Sequence, residues 1–188
     1  AEPGAERVLA LDGEADCLAI PARVLAVPDG PFTIEGWLRA QEFKKREGFI
    51  CKTESSEFGL FVSEGKPDFS VHLGGKYANA TAPAPVLPLD AWCHVAGVFD
   101  GAELRLYVDG KRVASQPASG VRKTNELPLY IGADVTDSSA PSSFFAGEID
   151  EVRISRGARY AGERFAPERR HASDADTLLL LHMDGEWG

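Results

Sequence analysis

Methionine occurs once in this 188-residue chain and cysteine only three times. Cys17, Cys51 and Cys93 are odd in number and show no C-x-x-C spacing, which argues against a structural zinc site built on thiolates. One pair at most could bridge. Each lies in a strand-like run where cysteine packs as a small apolar residue, so buried thiols are the simpler expectation. Nowhere do eighteen apolar residues follow one another, so no helical membrane span, and no membrane insertion, is expected. Basic clusters are missing too: 20 Lys and Arg stand against 29 Asp and Glu, a formal charge of -9. That balance argues against a nucleic-acid partner, which needs clustered cations, and suits a cation site or plain solubility. No secretory leader is visible. The opening AEPGAE suits a mature end after a small-residue cleavage site, and a trimmed chain would look the same.

Catalytic signatures are equally sparse. There is no glycine-rich phosphate loop. His72 and His94 have no Ser or Cys in a nucleophile elbow nearby, and Cys93 and His94 are strand neighbours that point to opposite faces. His171 reads as a surface residue and His182 as a strand residue. Long helical patterns are missing as well; Gly162 to Arg170 alone reads as helical, and Pro167 limits it.

What is present is a series of short alternating runs between turn residues, with 19 Gly and 12 Pro along the chain. Hydrophobic residues at 44% and charged residues at 26% are ordinary for a globular protein. Phe32, Ile34 and Leu38 alternate with Thr33, Glu35, Trp37 and Arg39. Phe58, Leu60 and Val62, then Phe69, Val71 and Leu73, repeat the period. Leu104, Leu106 and Val108 end at Asp109-Gly110, a type I′ hairpin signal, and Lys111 to Ala114 returns. Leu129 to Gly132, Ile149 to Ser155 and Leu178 to His182 complete a sandwich pattern. Lys76 to Pro88 and Ala133 to Ser143 read as loops. No linker divides the chain, so residues 1–188 are expected to form one all-β domain.

The period of two also assigns faces. With Ile34, Leu38, Val71, Val95, Leu106, Val152 and Ile154 between the sheets, their neighbours point away. Those neighbours include Glu35, Trp37, Arg39, His72, His94, Tyr107, Glu151 and Arg153, with Ser70 and Arg105 beside them. Arg and carboxylate groups fix sugar hydroxyls by paired hydrogen bonds, and aromatic rings stack on pyranose faces. These eight are therefore candidate glycan-binding residues. The competing reading is a second, partly buried layer under the long loops. Trp92 is expected to anchor a strand start in the core.

The motifs come in an informative order: LDG-x-x-D from Leu11, PFTIEGWLRA, WCHVAGVFDG, LRLYVDGKRV, LYIGAD, FFAGEIDEVRISRGAR and TLLLLHMDGE. This series resembles the laminin G-like branch of the concanavalin A-like lectin/glucanase superfamily, particularly its bacterial form, over nearly the whole chain. The resemblance implies an antiparallel two-sheet jelly-roll sandwich, an extracellular setting (secreted or cell-surface), and a non-catalytic module that binds glycan or an extracellular protein. It also implies a calcium ion near the opening and closing strands, where Asp12, Asp150 and Asp184 would be the ligands. Asp150, on the face of Val152 and Ile154, is read as pointing inward, where a carboxylate needs a partner or a metal. Asp12 and Asp184 also suit turns without metal. Asp134 and Asp137 form a weaker alternative.

Two rival functions stay open. A surface-layer, filament or adhesion subunit would use sheet edges or the apolar run Leu178 to Leu181 to meet a neighbour. A laminarinase-like hydrolase would need carboxylates at alternate positions. Glu148 and Asp150 fit, but Val152 takes the next place on that face, leaving Glu35 and Glu151 as the only alternative pair. A non-enzyme is the expectation.

Overall fold

A computed structural model describes residues 7–185; the remainder of the expected 1–188 domain lies outside the described residues. Fifteen strands are β1 (Leu9–Asp12), β2 (Leu18–Ile20), β3 (Phe32–Ala40), β4 (Glu47–Cys51), β5 (Phe58–Ser63), β6 (Lys66–Leu73), β7 (Lys76–Thr81) and β8 (Cys93–Phe99), followed by β9 (Glu103–Val108), β10 (Lys111–Pro117), β11 (Leu129–Ile131), β12 (Asp134–Val135), β13 (Pro141–Ser142), β14 (Ala146–Arg156) and β15 (Thr177–Leu181). Two antiparallel sheets make the sandwich. The first has the order β1-β14-β3-β8-β9-β10, with β15 also on β14; the second is β2-β11-β4-β5-β6-β7. Among the described residues there is no helix, so the helical reading of Gly162 to Arg170 is corrected. Pro167 and the lack of an apolar stripe leave that segment irregular.

Ile34, Leu38, Val71, Val95, Leu106, Val152 and Ile154 all lie in the core between the sheets. Phe32 sits at its centre, with ring centroids 4.9 Å from Phe58 and 6.0 Å from both Phe69 and Phe99. Burying each such ring contributes about 1.5–3 kcal/mol, so this cluster is a main support of the sandwich. The Asp109-Gly110 turn has φ of 48° and 71°, the left-handed pair that a type I′ hairpin requires. A side chain at Gly110 would also collide with the Phe165 carbonyl 2.0 Å away.

Two expectations need revision. Residues Lys76–Thr81 form an edge strand, not a loop, pairing Ser70 with Asn79 and His72 with Tyr77. Its inward residues are only Ala78 and Ala80, too weakly apolar to show the alternation. Trp92 is half-buried beside the Arg39 guanidinium rather than in the core. The run Leu178 to Leu181 forms β15, which pairs with β14 on one side and lies half-buried against the core rim.

The other segment read as a loop, Ala133 to Ser143, holds the small β12-β13 hairpin. Cys51 and Cys93 are buried free thiols, and Cys17 is half-buried.

Candidate functional site

Strand β14 carries the decisive irregularity. Asp150 pairs with Trp37 and Arg153 with Glu35, so Glu151 and Val152 together face Gly36. This is a β-bulge, with Glu151 at φ 51°. Val152 remains in the core while Asp150, Glu151 and Arg153 share the outer face with Glu35 and Trp37. The inward placement of Asp150 is thereby corrected: one extra residue shifts the alternation.

That outer face is sealed. Residues 157–172 cross it as a strap. The indole N–H of Trp37 donates to the Glu168 carbonyl at 3.0 Å, and the Arg169 guanidinium lies 4.2 Å over the ring. The Tyr107 hydroxyl donates to the Gly162 carbonyl at 2.9 Å, under Tyr160 and Phe165, whose rings stack at 3.5 Å. Glu35, Trp37, His94, Tyr107, Glu151 and Arg153 are all buried. The expectation that this face meets solvent is corrected: the competing layer-under-a-loop arrangement is the one formed. Arg39 lies at the margin, ion-paired with Glu148. His72 belongs to the second sheet, its ring edge-on to Tyr77 at 5.0 Å.

Under the strap, Glu35 is the hub. Arg153 donates to Oε1 at 2.8 Å, and the Tyr160 hydroxyl donates to Oε2 at 2.8 Å. His94 Nε2 lies 3.2 Å from Oε2 and His171 Nε2 3.9 Å. Burial alone would raise the Glu35 pKa, but the His94 hydrogen bond and the neighbouring cationic groups outweigh it and hold the carboxyl at about 2. Burial pushes the His171 imidazole down to about 4, so it is neutral near pH 7. Glu35, His94 and His171 could hold a metal ion, their donor atoms lying within 4.8 Å of one another. The surface reading of His171 does not hold; it is enclosed.

Asp12 lies apart from the other two expected calcium ligands. Asp12 accepts hydrogen bonds from the backbone of Glu14, Ala15 and Asp16 on one oxygen, the turn role open to it without metal. It stands opposite Ala146, four residues from Asp150 along β14, roughly 13 Å away at strand rise. Asp150 and Asp184 are neighbours, but Arg170 already supplies the cation, 2.7 Å from Asp184 and 3.5 Å from Glu151. Burial, with the charges of Glu151 and Asp184, raises the Asp150 carboxyl to about 6. Glu151 is held by His182 Nδ1 and by the His171 backbone N–H, each at 2.7 Å. Glu35 and Glu151, the alternative hydrolase pair, are thus both enclosed and engaged.

The second sheet is different. A cleft of about 280 Å³ lies on its outer face, lined by Arg46, Glu54, Asp68, Tyr77, Asn79 and Asp134 among others. Arg46 stacks 3.8 Å over the buried Phe61 ring and reaches Asp134 at 3.1 Å. Asp134 also accepts from Thr53, and Asp68 accepts from Ser70 at 2.6 Å. The Tyr77 hydroxyl donates to the Ser56 carbonyl, leaving its ring partly exposed. At the lip, Glu54 and Ser55 have φ of 80° and 51°. Each such non-glycine residue costs about 1–3 kcal/mol, and strain of this kind collects at functional sites. Apart from Asp134, weighed for metal, the sequence reading missed these lining residues as a site. The signal was the polar strip Asp68-Ser70 facing Asn79-Thr81, hidden when Lys76 to Pro88 was read as a loop.

Comparison with known proteins agrees with this architecture. The family model for the concanavalin A-like lectin/glucanases superfamily matches residues 12–163. Among solved structures, a putative carbohydrate binding protein from Bacteroides ovatus aligns at TM-score 0.68 and 17% identity, over 95% of this chain and 52% of that one. Mouse laminin alpha1 domains LG4-5 align at 0.63 and 18%, over 87% and 47%. The Ruminococcus gnavus IT-sialidase CBM40 bound to alpha2,3 sialyllactose aligns at 0.64 and 13%, over 84% and 95%. The chain spans about half the length of the first two structures. Among curated proteins none matches.

Proposed function

The chain belongs to the concanavalin A-like lectin/glucanases superfamily, and on that premise we propose that it is a non-catalytic module that binds an oligosaccharide outside the cell. The cleft on the second sheet is its binding site. The observation that carries this reading is the contrast in access. The carboxylates of the first sheet lie under the strap, whereas Arg46, Asp68, Asn79 and Tyr77 border an open cleft. A guanidinium fixed by an aromatic ring and a carboxylate is a prepared donor for sugar hydroxyls or carboxylates. Tyr77 offers a ring face, and Asn79 and Asp68 offer directional acceptors. Similar folds support the class: one is a sialidase module bound to sialyllactose, and another is a domain of an extracellular arabinanase in complex with arabinotriose. This reading does not require calcium: Asp150 and Asp184 adjoin one another away from the cleft, and Asp12 lies apart from both.

Affinity electrophoresis and a glycan array that includes arabino-oligosaccharides and sialyllactoses test it. Retention on at least one glycan is expected. Arg46→Ala or Tyr77→Ala should weaken it roughly tenfold or more, the loss of one charge-assisted hydrogen bond or stacking contact. A chelator should leave it unchanged. Absence of retention on every glycan would remove the proposal.

A further inference from the structure

We propose that Glu35, His94 and His171 form a closed site for a divalent transition metal of the zinc type, and that the metal fastens the strap to the first sheet. The three donors come from separate elements: β3, β8 and residues 157–172. Two ligands about 2.0–2.1 Å from a tetrahedral zinc stand roughly 3.3 Å apart. His94 Nε2 is 3.2 Å and His171 Nε2 3.9 Å from Glu35 Oε2, near that spacing before any metal draws them in.

An independent observation points to a ligand. Neither ring nitrogen of His171 has a hydrogen-bond partner, nor has Nδ1 of His94, and all are buried. Folded proteins rarely leave buried polar atoms unpaired, and a group seated beside His171 Nε2, between it and Glu35, would satisfy that nitrogen. Imidazole nitrogen favours zinc-like ions over calcium, which takes oxygen ligands. Arg153 occupies Oε1 of Glu35 and leaves Oε2 toward the rings. Glu168, 3.9 Å from His171 Nδ1 and 3.7 Å from Arg153, supplies the outer carboxylate that orients a metal-bound imidazole and offsets the local positive charge. A cavity of about 420 Å³ lies alongside, lined by Arg153, Tyr160, Phe165, Glu168 and Ala172 but by none of the three ligands.

The test strips the intact protein with chelator and reloads it with Zn²⁺ or Co²⁺. Expected are about one metal per chain retained after desalting, visible bands of four-coordinate cobalt, and a thermal midpoint that rises with zinc. His171→Ala should weaken metal binding by more than the roughly 100-fold that loss of an outer-shell partner costs. Glu35→Gln keeps the side-chain shape and should lose the cobalt bands while keeping the β-sheet circular dichroism. His72→Ala, outside the cluster, should bind as wild type. Substoichiometric metal in the wild-type protein, unchanged binding in His171→Ala, or a lone water between the rings in a zinc-soaked crystal would overturn the proposal. Glycan retention is a separate readout, so the two proposals fail independently.

Discussion

The two sheets of this sandwich present outer faces built from similar residue types and put to opposite uses. Each combines aromatic rings, an arginine and carboxylates: Trp37, Tyr107, Arg153, Glu35 and Glu151 on the first, Tyr77, Phe61, Arg46, Asp68 and Asp134 on the second. On the first, the strap of residues 157–172 satisfies the polar groups and excludes water. On the second, they pair among themselves at the floor of a cleft that stays open. Polar-aromatic composition therefore does not distinguish an open face from a sealed one. The covering segment does.

Truncating an aromatic ring on each face gives the largest contrast. Trp37 is buried and holds the strap through its indole N–H and the Arg169 stack. Trp37→Ala should cost about 3–5 kcal/mol in urea unfolding and open residues 157–172 to protease. Tyr77 is partly exposed at a sheet edge, so Tyr77→Ala should cost about 1 kcal/mol or less. Equal losses would break the distinction between a structural face and an open one.

Charge on the sealed face gives the next effect. Asp150 is buried with one oxygen lacking a hydrogen-bond partner, and its carboxyl is raised from 3.8 to about 6. The folded state thus binds the proton more tightly than the unfolded chain. Any stabilising contribution is complete below about pH 4 and is lost as pH rises through 6, where ionisation costs the fold about 3 kcal/mol as an upper figure. Asp150→Asn should therefore stabilise the protein at pH 7 and flatten the stability profile between about pH 4 and 6. Urea midpoints measured across that range check both the sign and the window; a variant less stable at pH 7 would refute the assignment.

Much of the fold was legible because alternation is a local property. Leu104, Leu106 and Val108 with the Asp109-Gly110 turn specify a hairpin without outside help, and the core list from Ile34 to Ile154 stands. The site was less legible, for three physical reasons. The bulge on β14 rests on Glu151 in left-handed backbone, with no glycine to mark it, so Asp150 seemed to face inward. Strand β7 turns only alanines to the core, so its polar strip had no apolar counterpart to reveal it. The strap has neither helical nor strand periodicity; it is held by side chains distant in sequence, such as Tyr107 on the Gly162 carbonyl. Burial of Glu35 and His94 is a tertiary consequence of that contact.

The Tyr107 hydroxyl gives the smallest and sharpest test, because it separates the strap's polar seal from its packing. Its ring is fully enclosed against Tyr160 and Phe165, and its oxygen donates to the Gly162 carbonyl. Tyr107→Phe keeps the ring contacts and removes one donor from a carbonyl near the start of the strap. A loss of about 1 kcal/mol is expected, within the usual 0.5–1.5 kcal/mol for a neutral hydrogen bond. Faster amide exchange should accompany it, confined to residues 157–172, with glycan retention on the second sheet unchanged. If exchange quickened over both sheets, the strap would be part of the global folding unit rather than a cover laid on a finished sandwich. The difference between the faces would then lie in folding, not in access.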